Sequence, residues 1–401
     1  MQRGSVAKVL LGSVILGSLM GSAAYAQGSS IIVGSSGPMP LKHAPNCGHK
    51  TDLVVGFAAC DSYIRVNDDG SAATSTTPTG FGPSDLRSAY NISGNGSSNT
   101  TIAIVDAYGY PRAAVDLATY RKTYGLPACT ARNGCFTKVD ENGGTSYPKF
   151  NSSWSIETAL DLQMASAMCP SCKILLVEAA SSSYQDLATA ENTAASLGAH
   201  VISNSYGGSE SGTQSYEANY NHPGVAVTAS SGDSGYGPQF PASSPHVTAV
   251  GGTSLTADSS TARGWSETAW SGAGSGCSTV YPKPSWQTDT GCANRTIADV
   301  SAVADPDTGV AVYAPTSITK SAWYVVGGTS VAAPLIAGIY GLNGGAVNYG
   351  SDPYAHLADL NDVTSGSNGS CSPSYLCTAG PGYDGPTGNG TPNGIGAFGT
   401  N

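Results

Sequence analysis

The sequence predicts an α/β fold in which a mostly parallel sheet is covered by helices on both faces. Two segments, residues 101–105 (TIAIV) and 173–177 (KILLV), are almost entirely apolar, as is typical of strands buried on both sides. Longer segments of helical character lie between and after them, so strands and helices alternate along the chain. Ligands of such sheets bind outside the carboxyl ends of the strands, and we expect the functional residues near those ends or at adjoining helix starts.

The predicted elements follow one another from residue 81 onwards, where the alternating pattern begins. A helix over 112–124 follows the first strand, and a second helix over 154–168 precedes the strand at 173–177. The remaining predicted elements are a helix at 184–197, strands at 200–203, 224–229 and 323–326, and a helix directly after Ser330.

The first 80 residues have a different character. Arg3 and Lys8, an apolar run over 9–20 and the small-residue site Ala24-Tyr25-Ala26 predict a signal peptide over residues 1–26. Residues 27–80 are rich in Gly, Ser, Thr and Pro, which predicts a short pro-segment or N-terminal arm. The main domain is therefore expected over residues 81–401.

Composition excludes some classes of partner and indicates export. Charged residues make up only 11% of the chain and the formal net charge is −10, so no basic stripe is available for nucleic acid or an anionic membrane. The Cys-x-x-Cys at 169–172 lacks a matching second pair for zinc, and disulfides are favoured. The spacing suggests the pairs Cys47/Cys60, Cys129/Cys135, Cys169/Cys172, Cys277/Cys292 and Cys371/Cys377.

Ser330 is the candidate nucleophile. A strand-like run ends at Gly327-Gly328, and a small-residue apolar helix starts directly after the serine, with Pro334 expected to kink or tighten its first turn. A hydroxyl at a helix N-terminus lies where developing negative charge is stabilised. The alternative is that Ser330 only caps the helix.

Three carboxyl groups could support such a nucleophile. Glu157 and Asp161 are four residues apart in an otherwise uncharged helix, so they lie on one face and could share a proton. Asp233 lies in a glycine-flanked turn after a strand, where it could donate to an oxyanion if protonated. The alternatives are a solvated acidic helix face for the pair and a turn-stabilising role for Asp233.

In combination these segments resemble the sedolisins, or serine-carboxyl peptidases. That family has a Glu-x-x-x-Asp helix, a Gly-Asp-Ser-Gly turn and a Gly-Thr-Ser-x-x-x-Pro helix start, and all three occur here in the same order. The resemblance begins at residues 83–90 and implies a subtilisin-like fold for the peptidase domain over 81–401. It also implies the roles of four residues: Ser330 as nucleophile, Glu157 as its base, Asp161 orienting Glu157, and Asp233 in the oxyanion hole.

The resemblance also implies one structural calcium ion in a C-terminal loop. Asp362 and Asp384 would bind it through side chains, and Val363, Gly380 and Gly382 through carbonyl oxygens, which suits a hard cation. A Gly/Pro-rich turn without metal is the alternative.

The expected function is that of a secreted or periplasmic, acid-active endopeptidase that cleaves proteins or peptides as a monomer, without nucleic acid or membrane partners. Asp106 occupies the place of a subtilisin aspartate, but none of the six histidines (43, 49, 200, 222, 246 and 356) has the helix-opening context of a subtilisin histidine. An Asp–His–Ser protease is therefore the runner-up, and a non-catalytic pseudoprotease used for binding is the other alternative. Asp106 is expected to support Glu157 or to cap its strand, and Tyr206 stands where related enzymes often carry tryptophan.

Overall fold

The computed structural model describes residues 41–48 and 54–399. The signal peptide predicted over 1–26 lies outside the described residues, as does part of the arm predicted over 27–80. Residues 54–80 and the short stretch 41–48 belong to the same unit as the rest of the described chain.

The central sheet has eight strands, and all of its neighbouring pairs are parallel except the one at one edge. Its strands are β4 (Thr101–Ala107), β5 (Phe136–Asp140), β6 (Lys173–Ala179), β7 (Val201–Asn204), β9 (Ala226–Ser230), β10 (Thr248–Ala257), β11 (Trp265–Ala269) and β14 (Val300–Val303). The order is β11-β10-β9-β7-β4-β6-β5, with β14 also pairing with β10.

Helices cover both faces of this sheet, which confirms the predicted fold class. Ile102 and Ile104 of β4 pack into the core that contains α2, α3 and α5, whereas Ala103 and Val105 pack on the other side with α4. This alternation follows from the two-residue period of a strand. The helices are α1 (Pro83–Ala89), α2 (Ala113–Thr123), α3 (Ser152–Met168), α4 (Tyr184–Ser196), α5 (Thr329–Asn343) and α6 (Asp352–Ala355).

A second, antiparallel sheet joins the N-terminal arm to the strand that precedes α5. Its order is β1-β3-β16-β15, so arm strand β3 pairs directly with β16, which leads into Ser330. Its strands are β1 (Lys42–Pro45), β3 (Tyr63–Val66), β15 (Val310–Ser317) and β16 (Lys320–Gly327).

Short paired strands complete the described elements. They are β2 (Ala59–Cys60) with β8 (Tyr206–Gly207), β12 (Gly276–Pro282) with β13 (Asn294–Ile297), and β17 (Leu360–Asn361) with β18 (Thr391–Pro392).

All five predicted disulfides are present, and no described cysteine is free. Cys47–Cys60 joins two parts of the N-terminal arm. Over the described residues, no helix has both the length and the apolar character that crossing a membrane requires.

Candidate active site

Ser330 is the second residue of α5 and is completely buried. The residue that caps the helix is Gly328, so the serine does not serve as the N-cap. The Ser330 hydroxyl donates to the carbonyl oxygen of Ser205 and accepts from the backbone N–H of Asp61, each at 3.0 Å. The Ser330 N–H donates to the Asp61 carbonyl at 2.9 Å. Both polar groups of the serine therefore face the N-terminal arm.

Pro334 lies inside α5, which continues through it to Asn343. Proline has no N–H, so the carbonyl of Ser330 lacks the helical donor that it would otherwise have. The Ser205 hydroxyl approaches this carbonyl at 3.4 Å. The proline thus leaves the first turn of α5 tied to the loop after β7 through Ser205.

Glu157 and Asp161 lie side by side in α3, and both are completely buried. Asp106, near the end of β4, is the third member of this carboxyl cluster and is equally buried. Burial raises the pKa of all three well above their usual values, and the charge of Asp106 raises the pKa of both helix residues further. Three adjacent buried carboxyl groups cannot all be ionised, so the cluster retains protons that the same groups would lose in water.

Nearby serine hydroxyls lower the pKa values of the carboxyl groups in this cluster. The Ser62 hydroxyl donates to Oε2 of Glu157, and the hydroxyls of Ser62 and Ser330 both lower the pKa of this carboxyl group. The Ser205 hydroxyl lowers the pKa of Asp161 in the same way. In the observed conformer the Ser330 hydroxyl donates to the Ser205 carbonyl. It must turn away from this carbonyl before it can donate its proton to Glu157.

Asp233 follows β9 and lies against the start of α5. Its Oδ1 accepts from the backbone N–H of Thr329 at 2.7 Å and from the hydroxyl of the same residue at 2.8 Å. A side-chain carbon at Gly328 would lie 2.5 Å from Oδ2 of Asp233 and 2.2 Å from the Asp61 carbonyl oxygen. Only glycine therefore fits there, and Asp233 Oδ2 and this carbonyl share one small space.

The structure brings Glu157, Asp161, Asp233 and Ser330 to one place, and it adds residues that the sequence did not indicate. Asn46 donates to the Ser62 hydroxyl at 3.2 Å and to the carbonyl of Ser153 at the start of α3 at 2.9 Å. The arm therefore contacts both helices that carry the predicted catalytic residues. Thr329, which holds Asp233, could have been found from its place beside the nucleophile.

Tyr206 is completely buried next to this site. Its hydroxyl donates to Asn204 at 2.7 Å, and its ring packs against Trp154 of α3. The tyrosine therefore links the strand after Ser205 to the first turn of α3.

The described histidines lie in other surroundings. His43 interacts with Asp307 and His200 with the Thr101 N–H. His246 interacts with Glu217 and His356 with the Asp352 carbonyl. None of these contacts involves Ser330 or Asp106. His222 precedes β9, and His49 lies outside the described residues. The described residues thus give no support to an Asp–His–Ser arrangement.

Four of the five predicted calcium residues make contacts with one another in the C-terminal loop, and the fifth, Val363, is buried beside Asp362 in the chain. Asp384 is buried, and its Oδ2 accepts from the Gly380 N–H at 3.1 Å, while Oδ2 of Asp362 accepts from the Gly382 N–H at 2.9 Å. Burial, with a contribution from the charge of Asp362, raises the pKa of Asp384 to about 7. No cluster of three or more His, Cys, Asp or Glu side chains suited to a metal occurs in the described part of the chain. The two neighbouring carboxylates nevertheless match the oxygen chemistry that calcium requires, provided that carbonyl oxygens complete the set.

Comparison with known proteins gives consistent matches. A sequence model of the subtilase family matches residues 146–353, just over half of the chain. Kumamolisin from Bacillus sp. (strain MN-32) is 32% identical over 80% of this chain and 63% of its own length. Sedolisin from Pseudomonas sp. (strain 101) is 26% identical over 82% of this chain and 62% of its own length. The chain therefore spans somewhat under two thirds of these curated relatives.

A solved structure supports the same grouping. Pseudomonas sedolisin, described as a serine-carboxyl proteinase in complex with pseudo-iodotyrostatin, superposes with a TM-score of 0.67 at 26% identity. The match covers 79% of this chain and 96% of that structure.

Proposed function

The chain belongs to the subtilase family, in its sedolisin branch, and on this premise we propose that it is a serine-carboxyl endopeptidase that hydrolyses peptide bonds through an acyl-enzyme on Ser330. The observation that carries the proposal is the position of a buried serine hydroxyl at the start of α5, beside a buried carboxyl cluster and Asp233. A nucleophile, a base with its orienting partner and an oxyanion donor are the groups that acyl transfer requires.

Glu157 is the general base in this proposal. It accepts the proton of Ser330 as the hydroxyl oxygen attacks the substrate carbonyl, and later returns the proton to the departing amine. Burial raises the pKa of Glu157, so as a carboxylate it is a stronger base than an exposed glutamate. Asp161 and Asp106 share protons with it and hold its charge in place.

Asp233 and the N–H of Ser330 stabilise the oxyanion. The N–H already donates to a carbonyl oxygen, that of Asp61, and Asp233 Oδ2 lies beside the same oxygen. A carboxyl group can stabilise an oxyanion only while it is protonated, because its ionised form would repel the developing charge. This requirement is the reason for proposing activity at acidic pH.

We also propose one structural calcium ion in the C-terminal loop. Asp362 and Asp384 would bind it through carboxylate oxygens, with carbonyl oxygens of Val363, Gly380 and Gly382. The proximity of two carboxylates supports the site, because a divalent cation would offset their repulsion.

We also propose that the protein is exported and that its chain is divided into a signal peptide, a short arm and a peptidase domain. Five disulfides are typical of exported proteins. In this proposal residues 1–26 are a signal peptide, residues 27–80 a pro-segment or arm, and residues 81–401 the peptidase domain, which acts as a monomer on proteins or peptides.

The test is hydrolysis of denatured casein at about pH 3–5 by the purified protein and by Ser330→Ala. The variant should fold normally and lose activity by about three orders of magnitude or more, because the nucleophile and its base act as a unit. Ser301→Ala is a matched control, since Ser301 is also completely buried and its hydroxyl donates to the Gly390 carbonyl. Near wild-type activity of Ser330→Ala would exclude the proposed enzyme and leave a binding protein.

A further inference from the structure

The N-terminal arm passes through the candidate active site as an extended segment. Ala59 and Cys60 form β2, which pairs antiparallel with β8 next to Ser205. The Ala58 N–H donates to the Ser182 carbonyl at 2.8 Å, which fixes the other edge of the segment. A chain held in this way on both edges has the extended conformation in which peptides add to the edge of a strand.

The Asp61–Ser62 peptide group lies where a bond to be cleaved would lie. The Asp61 carbonyl accepts from the Ser330 N–H, and the Asp61 N–H donates to the Ser205 carbonyl at 3.2 Å. On the other side of the same peptide bond, the Ser62 hydroxyl reaches Glu157. Asp61 thus occupies the P1 position, defined as the residue whose carbonyl oxygen accepts from the N–H of the proposed nucleophile, Ser330.

The side chain of Asp61 enters a polar pocket. Its Oδ2 accepts from the Ser230 hydroxyl and from the Gln239 side-chain amide, each at 2.6 Å. Ser230 is completely buried, and Gln239 and Asp61 are 6% and 1% exposed. Two buried donors are therefore directed at one oxygen of a short side chain.

Gln239 is held in position by its surroundings. Its amide nitrogen also donates to the Ser230 carbonyl at 3.1 Å. A side-chain carbon at Gly207 would lie 2.4 Å from the Gln239 amide carbon, and one at Gly232 would lie 3.2 Å from it. The amide therefore fills a space that two glycines leave open, and the Ser230 carbonyl helps to orient it towards Asp61.

We infer that this pocket selects aspartate at P1, with Ser230 and Gln239 as the specificity-determining residues and Asp61 as the occupant supplied by the chain itself. The inference rests on the proposed peptidase function. An apolar P1 side chain would remove the acceptor of the buried Ser230 hydroxyl and one of the two acceptors of the Gln239 amide, which a site built for hydrogen bonds penalises. A longer glutamate would carry its carboxyl group past the point at which the two donors converge.

The test compares two peptides that differ only in Asp or Ala at P1. The ratio of their kcat/KM values is measured for the full chain, so the fraction of enzyme whose arm has left the cleft cancels. We expect a ratio of at least about tenfold in favour of Asp, since one well-formed hydrogen bond to a buried donor is worth about that factor. Gln239→Leu and Ser230→Ala should each reduce the ratio by about tenfold.

Gln287→Leu is the matched control. Gln287 is 5% exposed, and its amide donates to the Thr296 carbonyl and the Tyr354 hydroxyl, away from the cleft. Its ratio should equal that of the wild type. Ser330-dependent cleavage with no preference for Asp, or a preference unchanged in Gln239→Leu and Ser230→Ala, would overturn the inference and leave the peptidase function intact. Absence of Ser330-dependent cleavage of either peptide at acidic pH by molecules whose arm has left the cleft would reject both proposals.

Discussion

At the scale of single residues, the buried carboxyl groups are the least ordinary feature of this protein. Three of them form the cluster around Glu157, and another, Glu191 of α4, lies apart from it. Burial raises the pKa of Glu191 to about 8, although Asn204 acts to lower it, and Tyr206 and Tyr220 lie nearby. Each such group links the folding equilibrium to pH, because the folded chain holds a proton that the unfolded chain releases.

Burial of Glu191 is expected to make the folded state less stable as pH rises. The pKa of an unfolded glutamate is about 4.3, so between about pH 4 and 8 the folded state binds the extra proton and its stability falls as pH rises. Glu191→Gln removes this loss. Its free energy of unfolding should match that of the wild type at about pH 4 and exceed it at about pH 7 by roughly 2–4 kcal/mol.

Urea unfolding at these two pH values checks the prediction. Asp140→Asn serves as a control of opposite sign, because backbone N–H groups lower the pKa of Asp140. Its carboxylate is ionised in the folded and unfolded states alike at neutral pH, so this variant should gain no stability there. Equal stability of Glu191→Gln and the wild type at about pH 7 would show that Glu191 is not held protonated.

At the scale of elements, local pattern predicted four of the six described helices and four of the seven described parallel strands to within a few residues, whereas α1, α6, β5, β10 and β14 were not predicted. The helix predicted over 154–168 is α3, Ser152–Met168, and the helix predicted over 184–197 is α4, Tyr184–Ser196. Their agreement has a local cause, since apolar periodicity is set within each segment. The shared helix face of Glu157 and Asp161 and the helix start at Ser330 could be predicted for the same reason.

The contacts of the N-terminal arm with the site could not be predicted from the sequence. Residues 27–80 have the composition of a linker, yet β3 pairs with β16, and Asn46, Asp61 and Ser62 contact the site. These contacts join residues far apart in the chain, and neither periodicity nor composition specifies a long-range partner. The same limit applies to Gln239, whose role depends on its contact with Asp61, far away in the chain.

The C-terminal loop provides a prediction at this scale. If Asp362 and Asp384 bind calcium, a chelator should lower the Tm of the protein and added calcium should restore it, because an ion bound only to the native state stabilises that state. At a free calcium concentration of about 100 times Kd the stabilisation would be about 2.7 kcal/mol.

Asp362→Asn is the variant to compare. It should have a lower Tm in calcium than the wild type and should respond less to the chelator. A melting curve that the chelator leaves unchanged, together with no calcium by elemental analysis, would remove the ion from the proposal.

At the scale of the whole molecule, the sheet, the helices and the arm meet at the site proposed for catalysis. The parallel sheet places Asp106 at the end of β4 and Asp233 after β9, α3 supplies the carboxyl pair, and β16 leads into α5 with Ser330. These groups come from separate parts of the chain, so the chemistry depends on the complete fold. The sedolisin-like arrangement replaces a histidine by carboxyl groups, and acid activity is the property that this replacement predicts.

The central claim is tested most directly by the pH dependence of kcat/KM for the wild type, Asp233→Asn, Asp233→Ala and Glu157→Gln. Asparagine can keep the bonds that Oδ1 of Asp233 accepts from Thr329 while presenting a permanent N–H donor to the oxyanion. We predict a wild-type maximum at acidic pH, an Asp233→Asn variant that is more active than Asp233→Ala and works to higher pH, and a Glu157→Gln variant that is nearly inactive throughout. A wild-type optimum near about pH 8, or an asparagine variant no better than the alanine variant, would contradict the account.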